Sequence, residues 1–226
     1  MKSFSMSFAC LLENHPIYLQ TVELSWKERQ HMNRKDEDKF VDQEKTQKKN
    51  TMTKECIFTA LLILMEQKPY EEITITDIAK RAGVSRMSYY RLYRSKDDIL
   101  IQHFNEIFAE LLNEIKNTEG ISKYQFSLLI FQQAKENERL LKAILRAKLY
   151  EMVLKCFIQY CSYLIENIFD QDQKLDPVIS DYLIYEEAGR FSLLLLRWVE
   201  RGMKETPEKM AKLLEQSLTD KIKDFR

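Results

Sequence analysis

Apolar residues recur three and four positions apart along most of this chain, and that spacing admits one class of fold. In "LLILMEQ", "FNEIFAELLNEI", "LKAILRAKLYEMVLKCFIQYCSYLIENIF" and "DYLIYEEAGRFSLLLLRWVERG" one helical face is apolar and the rest is polar or charged. Glycine and proline, which would interrupt such runs, number only four each in 226 residues. The spacing predicts an all-α protein. No apolar run reaches the roughly 18 residues that a membrane span requires, so a cytoplasmic protein with no membrane partner is expected.

Acids and bases balance over the whole chain at 35 each but are unevenly placed. Residues 51–96 carry eight Lys/Arg against five Asp/Glu, whereas 97–226 carry 18 against 22. A basic module therefore precedes an acidic body, and a polyanionic partner is expected for the first part alone. The basic character concentrates in "AKRAGVSRMSYYRLYRSK" at 79–96, where four arginines, two lysines and three tyrosines occur without an acid.

The residues around that stretch set its shape. Ile57, Ala60, Leu61 and Leu64 form one apolar stripe on a helix that must stop before Pro69. "TITD" at 74–77 predicts a capped helix start, with Thr74 as N-cap and Asp77 three positions on. The short helix ends at Gly83, where a left-handed residue is needed, and Ser85 caps a second helix running to about Tyr93. Two short helices separated by "GVS" make a helix-turn-helix. With Tyr89 and Tyr93 turned inward, the outer face presents Arg86, Met87, Ser88, Tyr90 and Arg91, which suits a DNA major groove. Arg94 and Lys96 lie at the far end, in reach of phosphates.

"ITITDIAKRAGVSRMSYYRLYRSKDDIL" at 73–100 resembles the start of the TetR family of bacterial transcriptional regulators, roughly "iTv.dIA..aGVs.gtlY.hF.sKe.Ll". The chain departs from that pattern at Met87, where Gly or Pro is frequent, and at Tyr93, where Phe is usual. The resemblance implies a three-helix DNA-binding head followed by a helical ligand-binding and dimerisation domain. It also implies that Arg86, Met87, Ser88, Tyr90, Arg91 and Lys96 face a double-stranded operator, with Thr76 near a phosphate, and that "SKDDILIQHFNEIFAELLNEIKN" carries ligand-driven movement to the head. The ending "AGRFSLLLLRWVERGMKETPEKMAKLL" resembles a subgroup that includes the activator of dihydroxyacetone kinase operons. Repression relieved by a small-molecule effector is the family's usual mode, and activation through a protein coactivator is the alternative; a helical adaptor whose helix-turn-helix no longer reads DNA is a further one.

The expected organisation is an N-terminal extension at 1–50, a DNA-binding head at 51–96 and a regulatory and dimerisation body at 97–226. Leu193, Leu196 and Trp198, followed by Leu213 and Leu214, form an apolar surface expected to be covered by a second copy. Tyr124, Phe131, Tyr150, Phe157, Tyr160 and Tyr185 are candidates to line an apolar effector cavity. The four cysteines lack zinc or CxxC spacing and read as free thiols. His15, His31 and His103 are isolated, and no phosphate loop, metal cluster or nucleophile motif occurs, so neither an enzyme nor a cofactor is expected. In the extension, 33–50 reads as a polar, frayed lead-in. The codons for "KER" at 27–29 can include a ribosome-binding sequence, which makes Met32 an alternative start.

Overall fold

A computed structural model of the chain describes residues 34–118, 121–165 and 176–215; the Met32 question lies outside them. The described backbone is helical throughout apart from turns, caps and short loops, and packing divides the chain into two units, Met1–Lys54 and Glu55–Arg226. Helix α1 (Arg34–Gln67) begins in the first unit. Its polar opening is helical where the sequence suggested a frayed lead-in. The reason is composition: Lys, Glu, Gln and Arg are good helix formers, and neither glycine nor proline occurs between Arg34 and Pro69.

In the second unit a single 3-10 turn (Tyr70–Glu72) leads into α2 (Ile75–Ala82), α3 (Arg86–Leu92) and α4 (Lys96–Lys116). Then follow α5 (Lys123–Glu136), α6 (Glu138–Arg146), α7 (Tyr150–Leu164), α8 (Pro177–Glu200) and α9 (Pro207–Glu215). Stops and starts follow local chemistry. Ser95 and Ser122 cap α4 and α5 through their side-chain oxygens, Asp176 caps α8, and Pro207 opens α9 where its missing N–H costs nothing.

Among the described residues two large apolar cores hold the second unit, beside a small cluster of Cys161, Ile184 and Ala188. The first joins Ile57 and Leu61 of α1, Ile78 of α2, Tyr89 of α3 and Ile99 and Leu100 of α4 to Leu140 and Ile144 of α6, Val153 of α7 and Leu196 of α8. Head and body therefore share one core, with no packing break at residue 96. The second core gathers Phe131 of α5, Phe191, Leu195 and Trp198 of α8, and Met210, Ala211 and Leu214 of α9. Gly202, at φ 80°, turns the chain after α8; α9 then packs against α5, and the Leu214 carbonyl accepts from Arg190 Nη2 at 2.7 Å.

Gly83 ends α2 at φ 68° and ψ 27°, and its N–H donates to carbonyls of the last turn. A Cβ there would touch nothing within 4 Å, so a substitution costs backbone strain alone. Gly83→Ala is expected to destabilise the protein by about 1–2 kcal/mol, measured by denaturant unfolding.

Candidate nucleic-acid interface and regulatory cavity

The helix-turn-helix is built by reciprocal caps. Thr74 Oγ1 accepts from Asp77 N at 3.1 Å while Asp77 Oδ2 accepts from Thr74 N at 2.9 Å, closing the capping box. Lys68 Nζ donates to the same carboxylate at 2.8 Å. Lys68, followed by Thr74, holds the Asp77 carboxyl well below the usual carboxylate range. Ser85 Oγ accepts from Ser88 N at 3.0 Å and so starts α3. Val84 and the fully buried Tyr89 fill the angle between the helices.

This construction turns one face of α3 outward. Arg86, Met87, Tyr90 and Arg91 are exposed, Met87 by 80%, and the helix carries no acid. Arg86 lies over the Tyr90 ring, 5.9 Å from its centroid. Among the described residues neither Arg86 nor Arg91 is in an ion pair, so both guanidinium groups can donate outward. Thr76 is exposed on the first turn of α2, and Lys80 and Arg81 are exposed at its end. Ser88 is only partly buried, but its hydroxyl shares a hydrogen bond of 3.0 Å with Ser85.

Lys96 departs from expectation. It does not extend toward the α3 face: its ammonium donates to the carbonyls of Tyr70, Glu71 and Ile73 and sits 4.3 Å from the Tyr70 ring centroid. The side chain is partly buried, and the ammonium supplies donors to the Glu71 and Ile73 carbonyls and a second one to the Tyr70 carbonyl, which also accepts from Ile73 N at 3.1 Å. Its neighbours on α4 also grip the head. Tyr70 Oη donates to Asp97 Oδ1 at 2.6 Å, Arg94 N to Asp98 Oδ2 at 2.9 Å, and Gln102 Nε2 to the Leu92 carbonyl at 3.2 Å. Sequence reasoning missed Tyr70, Asp97, Asp98 and Gln102. The two acids at the start of a helix read equally well as dipole partners.

In the body, α4, α5, α6, α7 and α8 line a partly open cavity of about 90 Å³ that includes Phe104, Phe108, Phe126, Phe157, Tyr160 and Phe191, with Cys156 and Cys161 in its wall. Phe108 stacks on Tyr160 at 4.1 Å, and Tyr160 Oη donates to Asn105 Oδ1 at 3.0 Å. Of the aromatic residues expected there, Phe157 and Tyr160 line the cavity. The other four do not. Phe131 is consumed by an edge-to-face contact with Trp198 at 5.4 Å, and Tyr124 packs at the border of that second core. Tyr150 and Tyr185 are exposed by 42% and 57%. Burial pushes the Cys156 thiol up to about 11 and that of Cys161 to about 12.

The apolar surface of α8 also needs correction. Leu193 is 70% exposed, but Leu196, Trp198 and Leu214 belong to the chain's own cores, and Leu213 is partly buried. Trp198 is only 1% exposed, and its Nε1 donates to the Glu205 carbonyl at 3.1 Å. The outward stripe consists of Val178, Tyr182 and Tyr185 with Leu193, at spacings a helix brings to one side, and Ile179 beside it. Arg190 and Glu187, one turn apart on α8, pair with each other at 2.7 Å.

Comparison with known proteins agrees with this geometry. Residues 57–102 match the model described as "Bacterial regulatory proteins, tetR family", and 121–220 match "Transcriptional regulator C-terminal region". The HTH-type dhaKLM operon transcriptional activator DhaS of Lactococcus lactis subsp. lactis (strain IL1403) is 30% identical over 135 residues, covering 59% of this chain and 70% of that protein. HTH-type transcriptional regulator YxbF of Bacillus subtilis (strain 168) is 28% identical over 172 residues, 71% of this chain and 43% of that relative. The chain thus spans less than half of YxbF. The crystal structure of a TetR transcriptional regulator from Streptococcus agalactiae 2603V shares the fold at a TM-score of 0.53 and 22% identity, covering 74% of this chain and 94% of that one.

The cysteines give a test of the cavity. Raised thiol pKa values leave Cys156 and Cys161 almost wholly protonated at pH 8, whereas Cys56 is exposed. Mass-spectrometric mapping after brief treatment with an aromatic disulfide reagent should find Cys56 modified and Cys156 and Cys161 protected until the protein unfolds.

Proposed function

We propose, since the chain belongs to the TetR family of transcriptional regulators, that it binds a double-stranded operator as a homodimer through the outer face of α3. The observation that carries this reading is the acid-free, exposed row of Arg86, Met87, Tyr90 and Arg91 on a helix capped at its start and gripped by α4 at its end. Arginine donates bidentately to guanine, the methionine side chain meets thymine methyl groups, and tyrosine hydroxyls reach phosphate. Thr76 is exposed on the first turn of α2. Lys80 and Arg81 add positive charge at its other end.

Dimerisation through the Val178, Tyr182, Tyr185 and Leu193 stripe of α8 places two copies of α3 on one face of the duplex. A palindromic site with half-sites about one helical turn apart follows from that symmetry. Release of DNA by a small apolar effector in the cavity is the family's usual regulation. The second reading, activation with a protein coactivator, is favoured by the small volume of the cavity and by the likeness to a relative named as an activator.

Selection of a bound duplex from a randomised DNA pool tests the reading directly. Arg91→Ala is expected to weaken binding of that duplex about tenfold, the discrimination carried by one good base contact, with the dimer intact. Equal affinity for selected and random DNA would count against it. Leu193→Glu should yield monomers in sedimentation equilibrium, because it places a charge on the most exposed leucine of the stripe, and should abolish tight operator binding.

A further inference from the structure

We propose that Lys96 is a positioning residue: its ammonium locks the turn before α2 onto the start of α4, and it does not neutralise a DNA phosphate. The inference rests on the DNA-binding reading above. An ammonium has three protons, and the carbonyls of Tyr70, Glu71 and Ile73 supply three acceptors, with the last two at 3.3 and 3.1 Å. The Tyr70 ring covers the same group from 4.3 Å. Tyr70 is 6% exposed, and its hydroxyl is held by the very next residue of α4, Asp97. Two consecutive residues of α4 therefore fix one turn.

That turn ends at Ile73, immediately before the Thr74 cap of α2. A shift of the turn moves α2, and α3, packed against α2 through Val84 and Tyr89, moves with it. A lysine that swung out to meet a phosphate would abandon three carbonyls and an aromatic face. The lock therefore sets where the reading helix stands, and its loss lowers affinity without removing a charge contact.

Salt dependence separates the two roles. Each phosphate neutralised contributes a slope of about −0.9 to log K against log salt. Lys96→Met, Lys96→Arg and Tyr70→Leu would be made in the full-length protein and titrated against the duplex selected by the wild type over a range of salt concentrations. Thermal unfolding would be recorded alongside. Each variant is expected to bind about tenfold more weakly, the loss typical of one charge-assisted contact, with the wild-type salt slope. Arginine fails to rescue because a planar guanidinium does not fit a three-carbonyl cradle under a ring. The double variant Lys96→Met with Tyr70→Leu should lose no more than either single variant.

A slope reduced by about 1.8 for the dimer in Lys96→Met, restored by Lys96→Arg, would overturn the proposal in favour of a phosphate contact. A lowered melting temperature with unchanged affinity of the folded protein would overturn it in favour of stability alone. If Lys96→Met does not fold, Lys96→Arg and Tyr70→Leu carry the same comparison. A wild-type chain that selects no duplex would overturn the DNA-binding reading and this inference together; normal wild-type binding with altered slopes would overturn this inference alone.

Discussion

Helix α4 is a wall of two compartments, and the remainder of the second unit is arranged around that double duty. Its first turns place Ile99 and Leu100, both fully buried, in the core shared with the reading head. Phe104, Ile107, Phe108 and Leu111 further along line the cavity of the body. Phe104 packs against both cores. Because interiors are close-packed and resist continuous deformation, a helix so placed moves as a body or not at all. Asp98 and Gln102 then tie the end of α3 to that same body.

The apolar contacts, not the ion pairs, hold this arrangement. Glu66 on α1 meets Arg139 on α6 bidentately at 2.8 and 3.2 Å, and Glu138 meets Lys135 and Lys142. All are solvent-accessible pairs, a kind worth ~0–1 kcal/mol each. By contrast Leu140, Ala143 and Ile144 of α6 are at most 2% exposed and sit in the same core as Ile57 and Leu61 of α1. Burying one Leu or Ile side chain contributes roughly 1.5–3 kcal/mol, so the docking of α6 on α1 is mainly hydrophobic. The Glu66–Arg139 fork adds one solvent-accessible link between α1 and α6.

What was legible in the sequence was local. Thr74, Gly83, Ser85 and Ser95 each act within four residues of themselves, and each stands in the role its chemistry predicts. The misplacements concern long-range partners. Leu193 and Leu196 are three residues apart on one apolar run, yet one is 70% exposed and the other 8%. Periodicity says that a helix has an apolar face; it does not say which neighbour covers which arc when the apolar arc is wide. The ring of Phe131 and the ring of Phe157 are equally apolar, and only the placement of Trp198 assigns the first to packing and leaves the second at a cavity. Lys96 shows the same limit from the polar side, since its acceptors are main-chain carbonyls 23–26 residues away that carry no sequence signal.

The size of the cavity constrains how regulation can work. A volume of about 90 Å³ is smaller than the ~150 Å³ cavity that accepts a benzene ring. An effector larger than that either extends through the open side of the cavity or needs its walls, α4 among them, to part. Its influence on the head is then limited to the difference between its affinities for the expanded and compact states. A protein partner acting on the body's surface needs no such expansion, but it faces the same requirement: its contacts must differ between two positions of α4. Phe104, packed against both cores, and Gln102, bonded to the Leu92 carbonyl, are the α4 residues that join the body to the end of α3.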